Sequence, residues 1–188
     1  EANHMEANNP QPDQPGWQKR FFTIWGGQVF SLLGSQLVQF SLIWWLTQLT
    51  GSATVLALST IAAWLPNILL SPFAGALVDR SNRKFVVIVT DLAAGLVTIA
   101  WLLLVLLVGH LEPWQIYVGN AITGAFNAFQ FPAFSAAVTL MIPKAQYGRA
   151  SGMMEFAAAA SGILAPVFAG ALLGPIGLAG IMSIDVAT

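Results

Sequence analysis

The sequence predicts an all-α membrane protein, a bundle of six transmembrane helices, and three observations predict it. Only 8% of the 188 residues are charged while 56% are apolar, against roughly 25% charged in an ordinary soluble domain. The charges are gathered into short stretches between long uncharged runs. All seven Lys and Arg residues fall into alternate connections between those runs. A soluble enzyme is excluded as the default by this composition. The net charge of −1 leaves no basic excess to attract nucleic acid. The absence of cysteine removes disulfides, thiolate catalysis and thiolate metal sites together.

The elements follow in order from the charge-free runs. Residues 1–18, rich in Asn, Gln and Pro, read as a disordered tail, and residues 19–188 as the transmembrane domain. The tail is no signal peptide, because the first apolar run is too long and lacks a small-residue cleavage site. After Arg20 no charge occurs until Asp79, and Thr50-Gly51-Ser52 divides that run into spans near 21–49 and 53–78. Further uncharged runs, Leu92–Leu111, Pro113–Pro143 and Phe156–Ile184, give spans near 85–109, 114–141 and 147–173 and the start of a sixth at 178–188. A crossing needs about 20 apolar residues for about 30 Å of hydrocarbon. The sixth span, with 11 residues, is expected to be truncated.

Lysine and arginine are enriched in cytoplasmic loops, and here they agree on one side. Lys19 and Arg20 precede span one, Arg80, Arg83 and Lys84 join spans two and three, and Lys144 and Arg149 join spans four and five. The turns at Gly51-Ser52, His110–Pro113 and Gly174–Gly177 carry none. The expected topology is a multi-pass membrane protein with a cytoplasmic amino terminus.

Polar residues within the spans point to a shared cavity. Gln28, Ser31, Ser35 and Gln39 recur at steps of three and four on span one, and Asn120, Thr123, Asn127 and Gln130 do so on span four. Interhelical hydrogen bonding is the alternative reading of each stripe. Span three has little polarity beyond Asp91 and Thr98 and is expected to face lipid. Span five carries two ridges of small residues, Ala157, Ser161, Ala165 and Ala169 beside Ala158, Gly162, Pro166, Gly170 and Gly174, that permit close helix approach. Pro166 removes a backbone donor in mid-helix and invites a bend. Trp17, Trp44, Trp45 and Trp114 read as interfacial anchors, while Trp64 and Trp101 lie deeper. His4 and His110 fall on opposite sides and cannot share a metal. No phosphate loop, dinucleotide fingerprint or Ser-His-Asp constellation is present, so neither an enzyme nor a cofactor is expected.

The connection Gly75-Ala76-Leu77-Val78-Asp79-Arg80-Ser81-Asn82-Arg83-Lys84 resembles the signature loop of the major facilitator superfamily. Gly152, Ser161, Ala165, Pro166 and Gly170 resemble a degraded form of that family's antiporter motif in the fifth helix. Phe131-Pro132-Ala133, Pro143, Arg149-Ala150-Ser151-Gly152 and Ala165-Pro166 look like the bacterial macrolide-efflux and enterobactin-exporter branch. The resemblance implies three-plus-three inverted repeats forming the amino-terminal half of a twelve-helix transporter, with a carboxy-terminal six-helix half missing. It implies that helices one and four line the cavity, and that Gly75, Asp79, Arg80, Arg83 and Lys84 form a conformational latch. The fourth-helix arginine of many drug antiporters has no counterpart, since span four is uncharged.

Charges inside spans are costly and tend to be functional or paired. Asp91 and Glu155 lie near the cytoplasmic ends of spans three and five, where a salt-bridge or gate network with the loop arginines is expected. Asp185 falls about 11 Å into span six from the outside, with no cation at that depth. It is a candidate carrier of a coupling proton, or a protonated side chain bonded to a neighbouring helix. The expected work is export of a small amphipathic or lipophilic compound by proton antiport across a bacterial inner membrane. A uniporter or importer would transport without a proton gradient, and a membrane scaffold would bind and move nothing.

Overall fold

A computed structural model describes residues 16–188. The tail expected over residues 1–18 therefore falls almost wholly outside the described residues, as does His4. Helix α1 spans Trp17–Thr50, α2 Ala53–Asp79, α3 Arg83–Val108, α4 Pro113–Thr139 and α5 Tyr147–Ala187, with one 3₁₀ turn at Lys144–Gln146. The connections are short and locally determined. Gly51 and Gly109 close α1 and α3 in the left-handed conformation, each donating its N–H to the carbonyl four residues back, at 3.0 Å. Asn82 caps α3 by accepting from the Phe85 N–H at 3.3 Å. Pro113 opens α4, and the Gln115 side chain accepts from the Glu112 N–H at 2.9 Å.

The first four predicted spans each become one helix, but the fifth and the start of the sixth are continuous. The reason is a turn made with almost no loop. Within α5 only Gly177 leaves helical geometry, at φ 65° and ψ −175°, a conformation that needs glycine. Two contacts show that the chain folds back there. Trp25 Nε1 donates to the Met153 carbonyl at 3.3 Å, and Ser35 Oγ donates to Asp185 Oδ1 at 3.1 Å. The two α1 residues are about 15 Å apart along the helix, whereas Met153 and Asp185 would be about 48 Å apart in a straight one. Residues 178–187 therefore run back along α1. The described residues thus form five continuous helical stretches, the fifth broken and folded back at Gly177, next to where the sixth span was expected to begin.

Helices α1, α2, α3 and the stretch Lys144–Ala187 are long and apolar enough to cross a membrane. Helix α4, with 27 residues, is equally long. Its Gln115, Asn120, Thr123, Asn127 and Gln130 leave it outside that group. The main packing partners are α1 with α5 and α2 with α4, and α3 bridges the two pairs by packing on α4 and α5. The α2–α4 contact is close enough that a Cβ on Gly124 would strike the Ala63 carbonyl. Trp101 is buried, donating to the Gln115 carbonyl at 3.2 Å, while Trp64 is exposed. Large apolar side chains cover the outside, Phe30, Ile68, Leu96, Leu107 and Ile163 among them. In water such a surface would aggregate, and against lipid it is the expected exterior.

Candidate functional site

The polar groups of the interior gather at two points, each built around a carboxylate. Asp185 sits on the returning stretch of α5 and is half-buried between α1 and α3. It accepts from Ser35 Oγ at 3.1 Å and from Thr98 Oγ1 at 2.8 Å. Gly34 makes this approach possible. A Cβ there would lie 3.0 Å from Asp185 Oδ1, 3.2 Å from Asp185 Cα and 2.9 Å from Thr188 Oγ1. Thr98 Oγ1 has a second acceptor within reach, the Ala94 carbonyl at 3.4 Å. The hydroxyl can therefore donate to an ionised Asp185, or turn to Ala94 and accept from a protonated one. Either protonation state is satisfied without moving a helix.

Asp91 is the second point, on the same stripe of α3 as Thr98, two turns away. Its carboxylate accepts from Gln130 Nε2 of α4. The expected network with the loop arginines does not form. Asp91 is bonded to a neutral amide instead, and Glu155 is exposed on α5 with no ion-pair partner among the described residues. The physical reason is position, because Arg83 spends its guanidinium elsewhere. Its Nη1 donates to the Ala136 carbonyl of α4 at 3.3 Å, and its Nη2 lies 4.0 Å from Asp79 Oδ1. This ties the α2–α3 connection, where Arg80 and Lys84 are exposed and Gly75 is half-buried, to the end of α4.

The two polar stripes have different fates. On α1, Gln28, Ser31 and Gln39 are half-buried and Ser35 alone is engaged, through Asp185. On α4 the stripe is divided among neighbours. Asn120 is buried and donates to Ser59 Oγ at 2.9 Å and to the Ser59 carbonyl at 3.4 Å, joining α4 to α2. Thr123 bonds to the carbonyls of Gly119 and Asn120 in its own helix at 3.0 and 3.1 Å. Gln130 turns to Asp91, and Asn127 is exposed.

The small ridges of α5 separate in the same way. Ala157, Ser161, Ala165 and Ala169 are buried, and α1 is the main partner of this helix. Gly162, Gly170 and Gly174 of the other ridge are exposed, Pro166 is half-buried, and Gly152 is exposed one turn into the helix. Sequence reasoning did not foresee Gly34, Thr98 or Ser59 as partners. For Thr98 a signal existed, since it lies seven residues from Asp91 on one face of α3. Gly34 and Ser59 carry no local signal, because what they touch is far along the chain. Among the described residues no three His, Asp or Glu side chains converge on one point.

Comparison with known proteins agrees with this architecture. Macrolide efflux protein A of Streptococcus pyogenes is 35% identical over 173 residues, which cover 90% of this chain and 42% of that protein. Its namesake in Enterococcus faecalis is 34% identical over 139 residues, 72% of this chain and 42% of the relative. Multidrug resistance protein MdtG of Rahnella is 26% identical over 180 residues, 92% of this chain and 42% of the relative. The chain therefore spans less than half the length of these relatives. No solved structure matches it. The family model described as Major Facilitator Superfamily matches residues 24–187, nearly all of the described chain, and the protein belongs to that family of membrane transporters.

Proposed function

We propose that this chain is the amino-terminal six-helix half of a proton-driven exporter of small amphipathic or lipophilic compounds, working by alternating access. The observation that carries the reading is the Asp185 clasp, a carboxylate within the apolar domain held only by the hydroxyls of Ser35 and Thr98. A charge so placed is costly unless it is used. The clasp accommodates both protonation states, as a group that takes up and releases a proton must. The stretch after Gly177 counts here as the start of helix six. Exchanging helices one and two for four and five maps the α1–α5 contact onto the α2–α4 contact, which supports three-plus-three inverted repeats. The missing carboxy-terminal half would complete the cavity. Gln28, Ser31, Gln39 and Asn127 are the side chains left free to line it with uncharged amides and hydroxyls. Such a lining suits amphipathic molecules better than multiply charged ones, and the names of the relatives, macrolide efflux and multidrug resistance, support that class.

The end bearing all seven cations is assigned to the cytoplasm of a bacterial inner membrane. The Asp79–Arg83–Ala136 connection then acts as a latch whose making and breaking favours one access state by a few kcal/mol. Asp91, bonded to Gln130, ties α3 to α4 and does not carry the proton. The test is export by the full-length protein in proteoliposomes under an imposed pH gradient, with wild type beside Asp185→Asn. The variant is expected to lose gradient-driven export by about tenfold or more while keeping counterflow exchange without a gradient. Wild-type export that survives collapse of the gradient, or a variant that remains fully coupled, would overturn the reading.

A further inference from the structure

We propose that a groove between the first turns of α1 and α5 is a binding site for an anionic phospholipid. The groove has a volume of about 220 Å³ and is amphipathic. Its exposed members are polar Gln18 and Arg149 and apolar Phe22, and half-buried Gln146 joins the polar pair. Phe21 is buried beneath them, and Met153 and Phe22 extend the wall along the helices away from the chain ends. Trp25 fixes the two walls together through its bond to the Met153 carbonyl at 3.3 Å. Among the described residues no acidic side chain lines the groove. Lys19 and Arg20 are exposed in the same turn of α1 and add to the field of Arg149. Glu155, the nearest acid on α5, lies about 120° around that helix from Arg149.

This arrangement complements an anion attached to hydrocarbon. In a membrane-spanning bundle the charged end lies at headgroup level, and basic pockets between helices there collect anionic headgroups. The phosphate would sit at Arg149, with an acyl chain running down past Phe22 and Met153. A free phosphate would use the polar rim and leave the apolar wall uncovered. The neighbouring groove at this end of the bundle offers a contrast, because its Arg83 is already bonded to Ala136 and close to Asp79. The site rests on the proposed placement of this end of the bundle at headgroup level.

The test is native mass spectrometry of the full-length protein titrated with phosphatidylglycerol or phosphatidylcholine of identical acyl chains. One phosphatidylglycerol should be retained about fivefold over phosphatidylcholine. Arg149→Gln should abolish that preference. Gln18→Trp, which fills the groove from an exposed position and keeps every charge, should do the same. Lys84→Gln, in the neighbouring groove, should leave it unchanged. The proposal is overturned if wild type shows no preference, if Lys84→Gln costs as much as Arg149→Gln, if either groove variant keeps the preference, or if inorganic phosphate displaces the bound lipid.

Discussion

Asp185 and Asp91 are both carboxylates within the apolar domain, and both are held by neutral donors, yet they are held very differently. Asp185 joins three segments, α1, α3 and the returning stretch of α5, through two hydroxyls. Asp91 joins α3 to α4 through one amide. A hydroxyl can reverse its role when the acid takes up a proton, because the same oxygen both donates and accepts. The amide nitrogen of Gln130 only donates, and the whole amide must flip before its oxygen can accept from a protonated Asp91. Under the proposed function, the difference teaches that two half-buried acids can be suited to different work by the chemistry of their partners.

The largest effect that bears on this comparison is functional. If the proposed function holds, replacing Asp185 by Asn in the full-length protein should raise cellular accumulation of an exported compound by about tenfold or more, whereas Asp91→Asn should change it by no more than about threefold. Equal losses would erase the distinction between carrier and tie. Next comes packing. Gly34→Val should lower folded stability by about 1–3 kcal/mol through overpacking against Asp185 and Thr188, seen as a fall in Tm in detergent. Gly95→Ala, one turn from Asp91 and facing open space, should be neutral or slightly stabilising. A Tm unchanged by Gly34→Val would mean that the returning stretch does not rest on α1.

Smaller still is the loss of a single clasp hydrogen bond. Thr98→Val should cost about 0.6 kcal/mol, and Thr98→Ser, which keeps the hydroxyl, should restore both stability and the pH profile of export. The smallest effect on stability belongs to the latch. The Asp79 side chain is 74% exposed and 4.0 Å from Arg83, so Asp79→Asn should shift stability by less than about 1 kcal/mol. Membrane insertion should be intact and transport should slow. Normal export by that variant would remove the latch from the mechanism and leave Asp185 and Asp91 as the two ionisable points to compare.

Much of the fold could be read before any coordinates, because charge in lipid is so costly that its placement marks the ends of helices. Arg20, Asp79, Arg83 and Glu112 bound their helices to within a few residues of where the structure has them. The turn after span five was legible as Gly174–Gly177, but its compression into the single residue Gly177 was not, since Pro175 and Ile176 keep helical geometry. The site was legible as residue types and less so as pairs. Asp185 stood out because it is charged, whereas its partners Ser35 and Thr98 lie 150 and 87 residues away in sequence. The stripe on α4 looked like one wall because helical periodicity gives direction only. Asn120 and Gln130 point to different neighbours, and only the neighbours decide that.

Helix α4 carries a further consequence, for how the protein is made. Chains enter the bilayer through a translocon that weighs each segment by its apolar character, and amides near a segment's centre count against it. Helix α4, with Asn120, Thr123, Asn127 and Gln130 across its middle, is not among the helices apolar enough to cross a membrane by composition. Helix α3 precedes it by a connection of four residues and ends in an almost unbroken run of Leu and Val. The two should therefore enter as a hairpin, with Asp91 and Gln130 already paired, and α4 should reach its place only once α2 has offered Ser59 to Asn120. The polarity that shapes the interior thus also imposes an order on biogenesis.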